Sequence, residues 1–297
     1  MTARVQLSLL TLLALAASCA ALLAAAPKAD AYIYWSYLGG FFEGHVGRAT
    51  NDGKAVETKW IKKTIGSTSV EVDDRFVYWI NNDSQSIGRA KLNGKKVDQH
   101  FIDDVGFASD LDVYGDHIYW TRSSEIDVDA GIARASLDGS DVEFDFIHLD
   151  GWEHSGLGDI AVSGDHIYWT NFWKRNRISR ARIDGTEVEP DFMEVGPKSP
   201  YGLTIAGDYL YWSGSSKDIG RARLDGSEAD PLFIEDVGRA SSLVNDGTYL
   251  YWPGSGPGKA DQILRTKLSG AGRVKAIVKE GADGGSLAID DRGPGGA

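Results

Sequence analysis

The stretch Gly164-Asp165-His166-Ile167-Tyr168-Trp169 decides the fold. Gly-Asp is a turn signal, and the β-branched and aromatic residues after it read as a strand ending on two large rings. Those two letters recur at Tyr34-Trp35, Tyr78-Trp79, Tyr119-Trp120, Tyr211-Trp212 and Tyr251-Trp252. Successive tryptophans of these pairs lie 44, 41, 49, 43 and 40 residues apart. A period of about 40 to 50 residues marks a propeller or solenoid array.

A second landmark keeps step with the first. It reads hydrophobic-x-Arg-Ala-x-hydrophobic-Asp-Gly and runs over 132–139, 178–185 and 219–226, with looser copies at 46–53, 87–94 and 263–270. Its arginines (Arg48, Arg89, Arg134, Arg180, Arg221, Arg265) always stand four residues before the Asp, Asn or Ser of the turn. Between landmarks each repeat divides into four strand-like pieces. In the fourth these are Ile160–Val162, His166–Thr170, Ile178–Ile183 and Val188–Val195. Asp184-Gly185 is a hairpin signal, and Pro190 suits an edge strand because it cannot donate to a ladder. Four antiparallel strands repeated six times predict an all-β fold, a six-bladed β-propeller.

The ends of the array agree. The first repeat opens directly on its second strand, Ile33-Tyr34-Trp35, and a matching first strand, Ser286 to Asp291, stands at the far end. The C-terminal strand is therefore expected to complete the N-terminal blade, which removes two exposed sheet edges. The expected organisation is a signal peptide over 1–31, the propeller over 32–291 and a flexible tail over 292–297.

These residues resemble the YWTD propeller of the LDL receptor family, whose class B repeats carry the same Tyr-Trp strand and Arg-Ala-x-Leu-Asp-Gly hairpin. The resemblance covers 32–291 and implies an extracellular protein-binding module, here without the cysteine-rich modules that usually flank it. The motif's Asp is missing from all six copies, where Tyr37, Asn81, Arg122, Asn171, Gly214 and Gly254 stand instead. The fold implied by the resemblance survives this departure; the family's partners do not carry over.

Composition sets outer limits. With 43 Asp and Glu against 31 Lys and Arg, the net charge is -12. Such a chain is a poor partner for nucleic-acid phosphates and is repelled by anionic membrane surfaces. Val5 to Ala26 is almost wholly apolar and is followed by Ala29-Asp30-Ala31. That is the layout of a secretory signal peptide with cleavage after Ala31. Two alternatives stay open: an uncleaved anchor, since the apolar run is long enough to span a bilayer, and lipidation at Cys19. Cys19 is the only cysteine, so the cleaved chain has neither disulfide nor thiolate metal site. It is expected to be a secreted or envelope monomer, with no membrane insertion of the mature chain.

The six Tyr-Trp pairs are read as packing. Each ring buries roughly 150 to 250 Å², worth about 4 to 6 kcal/mol gross before entropy is subtracted. Six-fold repetition is what packing requires, whereas one ligand site has no use for it. The six arginines are read the same way, each across a strand from an aromatic ring.

Function is expected where the repeat breaks. First-to-second and third-to-fourth connections form one monotonous end of the ring; the other connections vary. They include Tyr37 to His45, Arg122 to Gly131, Gly151 to His154, Phe172 to Arg175, Pro200-Tyr201 and Pro253 to Gln262. Exposed aromatics beside cationic residues make binding hot spots. Trp152, His154, Phe172, Trp173, Lys174, Arg175 and Tyr201 are the candidate contact residues. Asp110 and Asp159 begin the innermost strands of adjacent blades and are candidates to hold water or a cation in the channel mouth. Two carboxylates fall short of the six or more oxygens a hard metal wants, and the nearby Glu125, Asp127 and Asp129 add little. No other cofactor is expected. The leading reading is an exported module binding a protein or glycan through the variable loops. The alternatives are a lactonase- or lyase-like propeller enzyme at the channel mouth, or a structural envelope role. The six histidines are dispersed and no nucleophile motif appears.

Overall fold

The computed structural model describes residues 31–37, 44–64, 66–123, 130–149, 156–172, 176–196, 198–256, 259–279, 281–282 and 284–290. The expected signal segment before Ala31, the tail 292–297 and the candidates Trp152, His154, Trp173, Lys174 and Arg175 lie outside the described residues.

Six four-stranded antiparallel sheets make up the fold, and the described helical structure is one short turn, Asn82–Ser84. Blade one joins β24 (Gly284–Asp290) to β1 (Tyr32–Tyr37), β2 (Gly44–Thr50) and β3 (Glu57–Thr64). Blade two runs β4 (Ser67–Val72), β5 (Phe76–Asn81), β6 (Ser86–Lys91) and β7 (Asp98–Ile102). Blade three runs β8 (Phe107–Tyr114), β9 (His117–Ser123), β10 (Ala130–Ser136) and β11 (Glu143–Leu149). Blade four runs β12 (Leu157–Ser163), β13 (His166–Asn171), β14 (Arg177–Arg182) and β15 (Glu189–Glu194). Blade five runs β16 (Pro200–Ala206), β17 (Tyr209–Gly214), β18 (Ile219–Arg223) and β19 (Asp230–Ile234). Blade six runs β20 (Val244–Asn245), β21 (Tyr249–Gly256), β22 (Lys259–Lys267) and β23 (Lys275–Val278). The inner strands β4, β8, β12, β16, β20 and β24 touch in that order and close on β4. Closure occurs as expected: Tyr32 pairs with Asp290 and Trp35 with Leu287.

The Tyr-Trp pair works because adjacent strand residues point to opposite faces. Its tyrosine serves one blade interface and its tryptophan the other. Tyr34 packs in one cluster with Trp79, Tyr78 with Trp120, Tyr119 with Trp169, Tyr168 with Trp212, Tyr211 with Trp252, and Tyr251 with Trp35. Each interface core thus takes one ring from each side, and all twelve rings are at most 5% exposed. In three blades a glycine makes room for the indole. A Cβ on Gly47 would stand 2.2 Å from the Trp35 ring, on Gly88 2.5 Å from Trp79, and on Gly220 2.2 Å from Trp212.

The repeated arginines are spent on the same scaffold. Arg89 lies 3.6 Å from the Phe101 ring centre, Arg134 3.9 Å from Phe146, Arg180 3.9 Å from Phe192 and Arg221 3.8 Å from Phe233. Arg48, Arg134 and Arg180 also pair with Glu57, Glu143 and Glu189 at 2.6 to 2.7 Å. Arg265 donates to the Asn51 carbonyl at 3.1 Å, tying the last blade to the first. The Asp of each hairpin earns its place locally. Asp138, Asp184 and Asp225 each accept the backbone N–H two residues on, at 2.9 to 3.0 Å, the Asx-turn geometry.

Candidate functional site

The inner strands have one edge on the central channel, where no strand covers them. In an antiparallel strand every second residue turns its N–H away from its partner, and a buried N–H needs an acceptor. On β12 and the turn that follows it these residues are Ile160, Val162 and Gly164, and side chains of β8 serve them. Asp110 Oδ2 accepts from Ile160 at 3.0 Å, Asp112 Oδ2 from Val162 at 2.6 Å, and the Tyr114 hydroxyl from Gly164 at 3.0 Å. Alternate residues of one strand thus satisfy alternate residues of the next.

The first rung runs most of the way round the ring. Ser69 Oγ accepts from Leu111 N–H at 3.3 Å, Asp159 Oδ2 from Leu203 at 3.1 Å, and Ser242 Oγ from Leu287 at 3.4 Å. Ser69 Oγ also donates to Asp110 Oδ1 at 2.6 Å. In blade five the position is Gly202, which offers no acceptor, and the inner strand that follows shrinks to Val244–Asn245. Asn245 Nδ2 bridges that junction, donating to Thr204 Oγ1 at 2.9 Å and the Ile205 carbonyl at 2.8 Å.

Burial governs the electrostatics of this belt. It pushes Asp110 up to about 6, against the hydrogen bonds from Ser69 and Ile160. It pushes Asp112 up to about 7, with the Asp110 charge adding to the rise. Asp159 is raised well above its ordinary value, again by burial first and the Asp110 charge second. The cause is the loss of water around a charge that lacks a cationic partner.

Three cavities meet along this belt. The shaft holds about 200 Å³ and is lined by Glu71, Asp110, Asp112 and Asp159 among others. The mouth holds about 230 Å³, with hydroxyls of Ser67, Thr68, Ser109, Ser242 and Ser286 on its wall. Beside it, a hollow of about 330 Å³ is bounded by Gly158, Asp159, Phe172, Tyr201, Arg239 and Ala240. Asp159 lines all three. Mouth and hollow lie where inner strands begin and second strands end, which is the end with the variable loops.

The structure therefore brings Phe172 and Tyr201 together, from different blades, with ring centres 5.7 Å apart. Thr170 Oγ1 donates to the Tyr201 carbonyl at 3.1 Å and fixes that junction. Asp110 and Asp159 reach the channel, but each uses a carboxylate oxygen on a neighbouring blade's backbone. Among the described residues, no three His, Cys, Asp or Glu converge as a metal ion would need. Sequence reasoning missed Asp112, two residues from Asp110 and so on the same strand face. It also missed Arg239, whose signal was being an arginine outside the repeated position.

Residues 208–255, most of one repeat, match the low-density lipoprotein receptor repeat class B family. Residues 208–255 form a YWTD repeat. The other Tyr-Trp strands sit at the same place in their blades, so the propeller is of the YWTD type. A chain in the crystal structure of a nidogen/laminin complex is similar over 87% of this chain and 98% of its own, with a TM-score of 0.69 and 18% identity. A gluconolactonase from Xanthomonas campestris is similar over 77% of this chain and 84% of its own, with a TM-score of 0.54 and 15% identity. At these identities the likeness is one of fold. No curated protein matches the sequence.

Proposed function

We propose that the protein is an exported binding module that recognises a protein or glycan through the variable-loop end of its YWTD propeller. The observation that carries this reading is the contrast between scaffold and rim. The arginines of the repeat are all stacked on rings inside the blades, as with Arg180 on Phe192. At the rim, Phe172 and Tyr201 are only partly buried beside an exposed Arg239. Aromatic and arginine residues left over from packing, on variable loops of a rigid ring, are the material of a binding hot spot. The sequence candidates Trp152, His154, Trp173, Lys174 and Arg175 lie outside the described residues, in connections that the sequence pattern assigns to the variable set. Similarity to a chain of a nidogen/laminin complex fits a protein-binding use of the fold.

The test is capture. Immobilised residues 32–297 are incubated with the envelope and secreted fraction of the source cells, beside a Phe172→Ala/Tyr201→Ala variant whose fold is verified by circular dichroism. A partner held by the unmodified protein and lost by the variant supports the reading. Equal retention by both refutes this placement of the site.

A further inference from the structure

We propose that the protein assembles with further copies of itself, the basic flank of one ring meeting the acidic flank of the next, in place of the monomer expected from the sequence. The flanks are built from the last hairpin turn and outer strand of each blade. In blades six, one and two these segments are 268–279, 51–64 and 92–102, and together they hold nine Lys or Arg against three Asp or Glu. In blades three, four and five they are 137–149, 183–194 and 224–234, and they hold twelve Asp or Glu with no Lys or Arg. All of these charged residues are exposed. A chain of net charge -12 thus keeps a basic half of its circumference.

The flanks are continuous, because each turn seats on the outer strand of the blade before it. Gly53 lies so close to the Ile277 carbonyl that no Cβ fits, and Gly94 and Gly185 abut the Trp60 and Phe146 rings. The charges are also available. Of the nine cations only Lys54 has an ion pair among the described residues, with Asp52 at 2.8 Å. Arginines behind the acidic flank take up part of its charge, as Arg182 does with Glu187 at 3.0 Å. Asp138, Asp141, Asp184 and Asp225 in its turns have no ion pair among the described residues. Each blade adds one large apolar side chain to its flank: Val274, Val56 and Val97 on one, Phe144, Val188 and Leu232 on the other, 36 to 55% exposed.

Each flank finds its complement in charge in the other. Blade one stands three places from blade four in the ring of inner strands, so the two cannot meet within one molecule. The contact is therefore heterologous; each pair leaves a flank open at either end, and open chains of rings result. Apolar side chains supply the dry contact while the charges select partner and register. The net charge opposes approach at long range. At 0.1 M salt the Debye length of about 10 Å screens that repulsion more than it screens charges brought face to face.

The flanks lie on the circumference, apart from the variable-loop end, so this test is separate from the capture experiment. Purified protein is followed by sedimentation velocity at submillimolar concentration. It should show at least about twice the monomer mass in about 0.1 M salt and the monomer mass in about 1 M salt, where the Debye length is about 3 Å. Lys59→Glu/Lys62→Glu/Lys63→Glu and Asp145→Lys/Asp191→Lys/Glu194→Lys change exposed side chains, with the fold verified by circular dichroism. Each variant alone should be monomeric in about 0.1 M salt, and an equimolar mixture should associate again. A wild-type protein that is monomeric at every salt concentration overturns the proposal, as does association that survives high salt or persists in either variant alone. A mixture that stays monomeric overturns it too. A monomeric wild-type protein that binds dextran sulfate, with loss in the Lys59→Glu/Lys62→Glu/Lys63→Glu variant, would give the basic flank to a polyanion instead.

Discussion

Asparagine in place of Asp110 offers the sharpest test of how the channel belt is charged. Asp110 is 7% exposed and raised from 3.8 to about 6. A carboxyl whose pKa is higher folded than unfolded helps the fold while it is protonated. Its contribution is fully present below the unfolded value and is lost as pH rises through the folded one. For Asp110 that loss amounts to about 3 kcal/mol, spread between about pH 4 and pH 7. Asp112 and Asp159 act in the same direction, and the Asp110 charge raises both. The exposed turn carboxyls oppose them only at lower pH. Asp52 is lowered to about 2, and Asp138, Asp184 and Asp225 are lowered too, so their help fades as the solution becomes acidic. Stability should therefore peak near about pH 4 to 5 and decline toward neutrality. The assay is urea unfolding followed by tryptophan fluorescence at a series of pH values. The wild-type midpoint should fall as pH rises. Asp110→Asn keeps an acceptor for Ile160 N–H but carries no charge, so it should flatten the fall by more than its own share, because its neighbours titrate more easily without it. A wild-type midpoint that is constant or rises over this range would refute the reasoning, as would an Asp110→Asn protein with the full wild-type slope.

Two further outcomes follow from the packing. A chain ending at Asp283 lacks β24, leaves the closing blade one strand short and should lose its cooperative thermal transition; a sharp, unshifted melt would refute ring closure as a condition of folding. Gly88→Ala places a methyl 2.5 Å from the Trp79 ring, and overpacking of this kind costs about 1 to 3 kcal/mol. Differential scanning calorimetry should show a lowered Tm for Gly88→Ala and none of that loss for a substitution at the open turn glycine Gly164→Asn, where nothing lies within 4 Å of the added Cβ.

The fold was legible because packing repeats itself. Tyr-Trp and Arg-Ala-x-x-Asp-Gly recur since each interface poses the same problem, and one chain shows six solutions side by side. Boundaries were close: the fourth strand expected over Val188–Val195 is β15, Glu189–Glu194. The strand expected from Ser286 to Asp291 is β24, Gly284–Asp290. The channel was harder to read. Asp110 and Asp159 line the channel cavity, but a sequence does not say that blades are staggered by one residue, so that a side chain in one meets an N–H in the next. Without that stagger a carboxylate at the mouth looks free for a cation. Arg239 takes the place of Phe107 in a connection that two repeats share, Asp104-Val105-Gly106-Phe107-Ala108-Ser109 and Asp236-Val237-Gly238-Arg239-Ala240-Ser241, so aligning those two connections marks it where the Tyr-Trp and Arg-Ala landmarks do not.

The meeting of β24 and β1 has a topological consequence. Every other blade is built from neighbouring chain, but this one waits for segments 250 residues apart, as in Ser286 N–H to Ser36 Oγ at 3.0 Å. Loop-closure entropy grows only slowly with length, yet contacts so distant in sequence form late. Five blades can be stacked before the ring locks. Because the two ends finish side by side in one sheet, the order of blades is cyclic. Joining the ends and opening the chain at an exposed hairpin such as Asp184-Gly185 would leave the same ring, with its last-formed seam moved to another blade.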